Sequence, residues 1–476
     1  MKTVILTAFL VLASALTSAG QAPASAPAPA KDAADYEAIG RSVVLELAAG
    51  RFDKVEAQFD PRTTEAMPQD KLEESWKGLI AQVGAFKEIT ASHVEPVQGY
   101  QRVKLACTFE KATLDAAVVF DTSGKIVGLG FTPSQPKIAW TAPGYVNASA
   151  FEEKPLTVVD GKWELPGTLT MPRKDGPFPT RSKEGLVPGV VLVQGSGPQD
   201  EDETIGPNKA FKDLAWGLGS NGVAVLRYVK RTQQYGVQSS TEPNALTVND
   251  ETVDDARTAA ALLAKQPGID PRRVYVVGHS LGGMMGPRIA SGDAAIAGLI
   301  LLAGNTRPLE VLILDQLRYI ATLQREPKDK EEVRQRITAA EETAREIESP
   351  DLKPGMMVSV LGTKAPASYF LDLRDYHPAE VAAKLTIPIL ILQGGRDYQV
   401  TSADFEGWQK ALAGHSNATL KMYPAMSHLF IAGTGAASPE DYKKPGHVSE
   451  EVIRDMAAWI ATGKVAPASG VQAGAR

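Results

Sequence analysis

The chain has 476 residues, more than one ordinary hydrophobic core organises, so two or more domains are expected. Hydrophobic residues make up 43% and charged residues 22%, a balance typical of a globular protein. The formal net charge is −6 and the Lys and Arg residues are scattered, so the sequence predicts no nucleic-acid partner.

The first 19 residues have the pattern of a secretory signal peptide. Lys2 gives a positive start, an apolar run of about 13 residues follows, and small residues end at Ala19. The run is shorter than the roughly 20 residues that cross a bilayer, which argues against a stable membrane anchor. We therefore expect an exported protein, either periplasmic or secreted.

Residues 20–35 are rich in Ala and Pro and lack the apolar content to pack, so we interpret them as an extended linker. Residues 36–136 are then predicted to form a small α+β domain, because helical stretches precede strand-like ones. This segment has no catalytic cluster, and Cys107 has the setting of a buried apolar residue. The predicted helices are residues 36–49 and 70–83, and the predicted strands are residues 101–109, 115–121 and 125–132.

Residues 150–465 alternate short apolar runs with helical stretches. The runs are rich in Val, Ile and Leu without polar alternation, as in strands buried on both faces of a sheet. The repeated order of strand and helix predicts an α/β domain with a mostly parallel sheet. The predicted strands are residues 189–194, 223–228, 273–278, 297–303, 388–393 and 419–423.

One interval, residues 306–376, breaks this alternation by placing about 70 residues between two strands. It contains a charged, helix-favouring run at residues 328–349. An insertion of this length above a sheet predicts a helical cap over an active site.

The strongest local motif is Gly-x-Ser-x-Gly around Ser280, directly after a predicted buried strand and before a helix-compatible stretch. A sharp strand-to-helix turn would lift the Ser280 hydroxyl out of the sheet, and Gly278 and Gly282 would let backbones pass closely. The free N–H groups of the following helix favour a developing oxyanion. Ser280 is therefore the predicted nucleophile, although Pro287 is expected to kink that helix.

A serine nucleophile needs a histidine base that a carboxylate orients. In α/β domains whose serine lies in a Gly-x-Ser-x-Gly turn, the chain order is Ser, acid, His. The acid is expected after a late strand, and Asp397 follows the predicted strand at residues 388–393. Asp404 and Asp375 are the alternatives for this role.

The base is expected after the next strand, and His428 follows the predicted strand at residues 419–423. His377 precedes the acid, and His415 lies at the opposite end of the sheet. His447 remains the rival, because a long loop could bring it back to the site.

Two backbone N–H groups are expected to form the oxyanion hole. Leu281 follows the nucleophile, and Ser196 lies between Gly195 and Gly197 in the loop after residues 189–194. A phosphate-binding loop is the rival interpretation of these glycines, but the Gly-Lys-Ser/Thr ending is missing.

Several long motifs in one order resemble the EstD-type bacterial carboxylesterases of the α/β-hydrolase superfamily. The resemblance extends over roughly residues 145–460 and depends on residues 193–198, 202–209, 226–232, 278–283, 393–400 and 423–431. It implies hydrolysis of short-chain carboxylic esters with Ser280, Asp397 and His428 as the triad. Two positions depart from the family pattern, which has His at Gln194 and Asp at Val229.

The same resemblance implies that residues 36–136 are similar to the NTF2-like domain of unknown function that often precedes this hydrolase.

We expect a serine carboxylesterase that needs neither a metal nor an organic cofactor and acts on a small-molecule ester. Two other functions stay open at this point. One is a peptidase or amidase of the prolyl-oligopeptidase type with the same triad, and the other is a binding scaffold without catalysis.

Overall fold

The computed structural model describes residues 10–11, 32–97, 99–134, 139–174, 176, 178, 180–293 and 295–466. The predicted signal peptide lies outside the described residues except for Leu10–Val11, and so does most of the predicted linker. The chain divides into two compact units, Met1–Lys137 with Gln233–Gln238, and Ile138–Thr232 with Ser239–Arg476.

The first unit packs helices against an antiparallel sheet. Alternate residues of its two central strands are buried, and the edge strand Phe86–Val97 is mostly half-exposed or exposed. The sheet has the strand order β1-β5-β4-β3-β2. Its elements are β1 (Leu10–Val11), α1 (Ala33–Ala48), α2 (Phe52–Glu56), α3 (Pro61–Ala66), α4 (Gln69–Val83), β2 (Phe86–Val97), β3 (Tyr100–Phe109), β4 (Thr113–Phe120) and β5 (Ile126–Pro133).

Helix α1 begins inside residues 20–35, which the composition predicts to be a linker. Asp32 accepts a hydrogen bond from the Asp35 N–H, and Asp35 reciprocates in a capping box. Cys107 faces the core of this unit, and burial raises the pKa of its thiol to about 11. The cysteine is therefore a packing residue, as predicted.

The rest of the chain is an α/β domain. Its strands are β6 (Phe151–Pro155), β7 (Val158–Asp160), β8 (Trp163–Leu165), β9 (Gly167–Pro172), β10 (Val187–Val193), β11 (Thr204–Ile205), β12 (Asn208–Lys209), β13 (Ala224–Tyr228), β14 (Ile269–His279), β15 (Ile296–Leu302), β16 (Met357–Val360), β17 (Thr363–Pro366), β18 (Ile389–Gly394) and β19 (Ala418–Tyr423). Its helices are α5 (Ala210–Ser220), α6 (Arg231–Tyr235), α7 (Asp255–Ala264), α8 (Leu281–Ala290), α9 (Leu309–Leu323), α10 (Pro327–Glu348), α11 (Ala367–Leu373), α12 (Pro378–Ala382), α13 (Ser402–Ala411) and α14 (Glu450–Thr462). The last three residues of α6 belong to the first unit.

The main sheet has eight strands in the order β19-β18-β15-β14-β10-β13-β9-β6. The six strands from β19 to β13 are parallel, whereas β9 and β6 pair antiparallel at one edge. Every residue of β10, β13 and β18 is buried, as expected for strands covered by helices on both faces. The prediction of a mostly parallel α/β sheet is therefore confirmed.

The interval between β15 and β18 contains α9, α10, the β16–β17 hairpin, α11 and α12. A small apolar core holds α10, the hairpin and α11 together, formed by Ile347, Leu352, Val358, Ala367 and Phe370. The insertion leaves the carboxyl end of β15, at the same sheet edge as the end of β14. Among the described residues, no helix has both the length and the apolar character of a membrane span.

Candidate active site

Ser280 lies in a sharp turn between β14 and α8. Its backbone has φ 54° and ψ −116°, a conformation that a residue with a side chain rarely adopts. A Cβ at Gly278 would lie 2.1 Å from the Gly282 carbonyl oxygen, and one at Gly282 would lie 2.2 Å from the Val193 oxygen. Both positions therefore require glycine, and Ser280 stays half-exposed at the end of the sheet.

Asp397 and His428 form a buried pair at the same sheet edge. His428 Nδ1 lies 2.7 Å from Asp397 Oδ2, and both side chains are almost fully buried. Asp397 Oδ1 accepts the N–H groups of Gln399 at 2.8 Å and Val400 at 3.0 Å. The Gln393 amide donates to Asp397 Oδ2 at 3.3 Å. These contacts fix the carboxylate, and an Nδ1–H directed at Asp397 leaves His428 Nε2 as a proton acceptor.

The alternative acids and bases have other partners or positions. Asp404 is buried against Arg307, with their side chains 2.8 Å apart, and Arg307 lies at the start of the insertion between β15 and β18. His447 Nδ1 lies 3.1 Å from Asp213, which also accepts the Val448 N–H. The remaining candidates are exposed or precede β19 at its amino end, and they are Asp375, His377 and His415.

His279 connects the nucleophile turn to the base. It directly precedes Ser280, and its ring centroid lies 4.6 Å from that of His428. His279 Nε2 donates to the His428 carbonyl oxygen at 3.0 Å. Within the described residues, no hydrogen bond joins the Ser280 hydroxyl to His428. Such catalytic hydrogen bonds often form only once substrate is bound.

His279 is also paired with Glu203, and both side chains are buried. The His279 Nδ1 and Glu203 Oε2 atoms lie 2.9 Å apart, which makes the contact an ion pair when His279 is protonated. Burial lowers the pKa of His279, but the Glu203 charge and the His428 carbonyl outweigh it, so the net pKa is raised. His279 is therefore protonated more readily than a free imidazole.

The loop after β10 passes over the nucleophile. A Cβ at Gly195 would lie 3.2 Å from Ser280 Cβ and 3.7 Å from Ser280 Oγ. The Gly195 N–H is occupied, because it donates to Glu203 Oε1 at 2.7 Å. The next N–H along the loop belongs to Ser196, which is exposed. Leu281 begins α8, where first-turn N–H groups have no intrahelical acceptor.

The sequence of this chain matches two protein families and a known esterase. The model of the alpha/beta hydrolase family matches residues 187–441, and a family described as a protein of unknown function, DUF3887, matches residues 41–129. Esterase EstD of Thermotoga maritima is 39% identical over 418 residues, which are 88% of this chain and 93% of that protein. The chain belongs to the alpha/beta hydrolase family. It falls with the EstD-like esterases, so the resemblance that the sequence indicated is confirmed.

Solved structures of other hydrolases are more distant. Est1E from Butyrivibrio proteoclasticus is 16% identical, with a TM-score of 0.38, and covers 58% of this chain and 90% of its own. A 2,6-dihydroxy-pseudo-oxynicotine hydrolase is 17% identical, with a TM-score of 0.39, and covers 67% of this chain and 70% of its own. The site described here depends on neither likeness.

One departure from the EstD-type pattern now has a structural account. Gln194 is buried, and its amide donates to the Tyr228 carbonyl oxygen, which ties the end of β10 to the end of β13. Val229 is half-buried and its N–H donates to the Pro166 oxygen at 2.8 Å. Nothing in the structure explains why valine stands at that position in this hydrolase.

Three buried residues around the nucleophile, Glu203, His279 and Lys230, have no role that the sequence alone predicts. All three lie within the motif segments that carry the family resemblance. A charged residue inside such a motif is a signal that could have drawn attention to them. Their partners, however, become visible only in the folded protein.

Proposed function

We propose that this chain is a serine carboxylesterase in which Ser280 is the nucleophile, His428 the base and Asp397 the orienting acid. The observation that carries the proposal is the buried Asp397–His428 pair at the sheet edge where Ser280 occupies a strained turn. The esterase relative supports a carboxylic ester as the bond that is cleaved.

The proposed reaction proceeds through an acyl-enzyme. The Ser280 Oγ attacks the ester carbon while His428 Nε2 takes the hydroxyl proton, and Asp397 stabilises the imidazolium. The N–H groups of Leu281 and Ser196 stabilise the oxyanion of the tetrahedral intermediate. His428 then gives its proton to the leaving alcohol, and a water molecule releases the acid by the reverse route.

We also propose that the substrates are short-chain esters and that the protein acts outside the cytoplasm. The first proposal is supported by the resemblance to EstD-type carboxylesterases. The second is supported by the charge and hydropathy pattern of residues 1–19.

Hydrolysis of p-nitrophenyl acetate, butyrate and octanoate tests the proposal, with wild type, Ser280→Ala and the control Ser291→Ala. Ser291 lies just after the last residue of the same helix, α8. We expect kcat to fall on the order of 10³–10⁶-fold in Ser280→Ala, because the nucleophile is lost, and to stay unchanged in the control. Activity should be highest on acetate or butyrate.

Other outcomes contradict the proposal. A Ser280→Ala enzyme as active as wild type would show that Ser280 is not the nucleophile. A wild type that cleaves a matched anilide faster than the ester would favour the amidase alternative. A wild type that neither hydrolyses these substrates nor reacts with a fluorophosphonate would favour a binding scaffold.

A further inference from the structure

Two buried charged side chains hold the main chain of Gly195, one at its N–H and the other at its carbonyl oxygen. The Glu203 carboxylate accepts the Gly195 N–H at 2.7 Å, and the Lys230 ammonium donates to the Gly195 carbonyl oxygen at 2.8 Å. Lys230 is 2% exposed and follows β13, the strand that pairs with β10. The loop after β10 is thereby fixed at both the N–H and the carbonyl group of Gly195.

The contact between Lys230 and the Gly195 carbonyl oxygen also affects the orientation of the Ser196 N–H. The Gly195 carbonyl and the Ser196 N–H belong to one peptide unit, and in a trans peptide they point in opposite directions. No cis peptide occurs among the described residues. An ammonium on the oxygen therefore fixes the direction of the N–H on the other side, and it polarises that N–H as a donor.

The position of this peptide matters because Gly195 lies next to the nucleophile. A Cβ added at Gly195 would lie 3.2 Å from Ser280 Cβ. The Gly195 N–H points to Glu203 and is unavailable to a substrate. The Ser196 N–H is therefore the donor that this part of the loop can offer to an oxyanion. A small displacement of such a donor lowers kcat, because an oxyanion hole acts through preorganised geometry.

Lys230 has a second buried partner. Its ammonium lies 3.3 Å from Glu251 Oε2, which also accepts the Tyr369 hydroxyl at 2.9 Å. Burial and the Glu251 charge raise the pKa of Tyr369 well above its usual range, so this phenol remains a donor. A buried ion pair adds little stability compared with apolar residues of the same size. The contact through which Lys230 reaches the site is the one to the Gly195 carbonyl oxygen.

We propose that Lys230 is a positioning residue of the esterase reaction. By binding the Gly195 carbonyl oxygen, it aims and polarises the Ser196 N–H toward the oxyanion that forms above Ser280. The inference rests on the proposed function, since it assigns a task within the same site. Lys230 does not touch the reacting atoms and acts through the Gly195–Ser196 peptide alone.

Three variants separate this task from a structural one: Lys230→Met, Glu251→Gln and the double variant. Lys230→Met and Glu251→Gln both break the buried ion pair, but only Lys230→Met removes the contact to Gly195. We expect kcat on p-nitrophenyl butyrate to fall about 100-fold in Lys230→Met with KM changed less than about threefold. In Glu251→Gln, kcat should stay within about threefold of wild type.

The double variant removes the uncompensated carboxylate, so it should unfold at a higher urea concentration than Lys230→Met while kcat stays low. It also carries the test if Lys230→Met does not fold. Equal losses of kcat in Lys230→Met and Glu251→Gln would overturn the proposal, and so would wild-type kcat in either variant that lacks Lys230.

Ser280→Ala, measured alongside, distinguishes the two failures. An active Ser280→Ala enzyme would reject the proposed function itself. An inactive Ser280→Ala enzyme with a fully active, folded Lys230→Met enzyme would reject the role of Lys230 alone.

Discussion

Ser280 combines an unfavourable backbone conformation with the chemistry proposed for it. A non-glycine residue at φ 54° and ψ −116° costs on the order of 1–3 kcal/mol, and the fold supplies that energy elsewhere. The Ser280 N–H donates to the Leu302 oxygen at 2.9 Å, so the turn is anchored to the neighbouring strand β15. The strain therefore keeps the hydroxyl above the sheet instead of letting the turn relax.

At the same scale, the Glu203–His279 pair predicts a pH-dependent stability. The pKa of His279 is raised in the folded protein relative to about 6.5 in an unfolded chain. The folded state thus binds more protons between these two pKa values. The stabilisation is fully present below about pH 6.5 and is lost as the pH rises through the folded pKa.

Urea denaturation of wild type and of Glu203→Gln/His279→Gln at pH 6, 7, 8 and 9 measures this effect. The difference in the free energy of unfolding should be largest at pH 6 and then fall, by at most about 1.4 kcal/mol per pH unit. The double variant has neither charge, so it leaves no buried carboxylate unpaired, and every other ionisable group is common to the two proteins. A difference that is constant with pH would mean that His279 keeps one protonation state throughout.

At the scale of elements, α8 continues through Pro287 because another side chain repairs its hydrogen bonding. The Tyr376 hydroxyl donates to the Met284 carbonyl at 2.9 Å and accepts the Arg288 N–H at 3.2 Å. Met284 and Arg288 would bond directly in a regular helix, so the hydroxyl is inserted into the ladder. The predicted disturbance at Pro287 is thus localised and bridged by a residue just before α12.

Tyr376→Phe should therefore lower the free energy of unfolding by about 1–3 kcal/mol, because the Met284 carbonyl and the Arg288 N–H both lose their partner. Urea denaturation measures the change. Tyr319→Phe is the matched control, since its half-buried hydroxyl has the Ala437 oxygen as its one hydrogen-bond partner among the described residues. Its loss should cost less than about 1 kcal/mol. Equal losses in the two variants would show that the bridge across the helix adds nothing.

The elements that the sequence revealed are those with a strong apolar pattern. The parallel strands were located within a few residues, since continuous Val, Ile and Leu runs mark strands buried on both faces. The edge strand β2 was missed because its mixed exposure gives no period-two pattern. The antiparallel strands β6 and β9 were missed as well, since each is short and lies at the sheet margin.

The candidate site divides in the same way. The turn at Ser280 and the loops that carry Asp397 and His428 could be predicted from chain order, because the carboxyl ends of parallel strands meet at one edge of the sheet. The contact of Lys230 with Gly195 could not, because it joins two loops 35 residues apart. Such a contact is set by strand pairing and by the depth of a side chain, which a one-dimensional pattern does not record.

At the scale of the whole molecule, each unit has a hydrophobic core of its own. Leu105 is fully buried in the core of the first unit, among residues of α1, α4 and the antiparallel sheet. Leu192 is fully buried in the core around the parallel sheet. Two separate cores predict two cooperative transitions on heating.

Scanning calorimetry of wild type, Leu105→Ala and Leu192→Ala tests this prediction. Each substitution should cost about 2–5 kcal/mol by leaving a cavity, and each should lower the Tm of one transition only. The shift should be larger for Leu105→Ala, because the smaller unit has the smaller unfolding entropy, and about 4–8 °C per kcal/mol is typical at that size. Labelling of the wild type at Ser280 by a fluorophosphonate should change the Tm of one transition only, the one that Leu192→Ala lowers. A single transition that both substitutions lower alike would instead show that the two cores unfold as one cooperative unit.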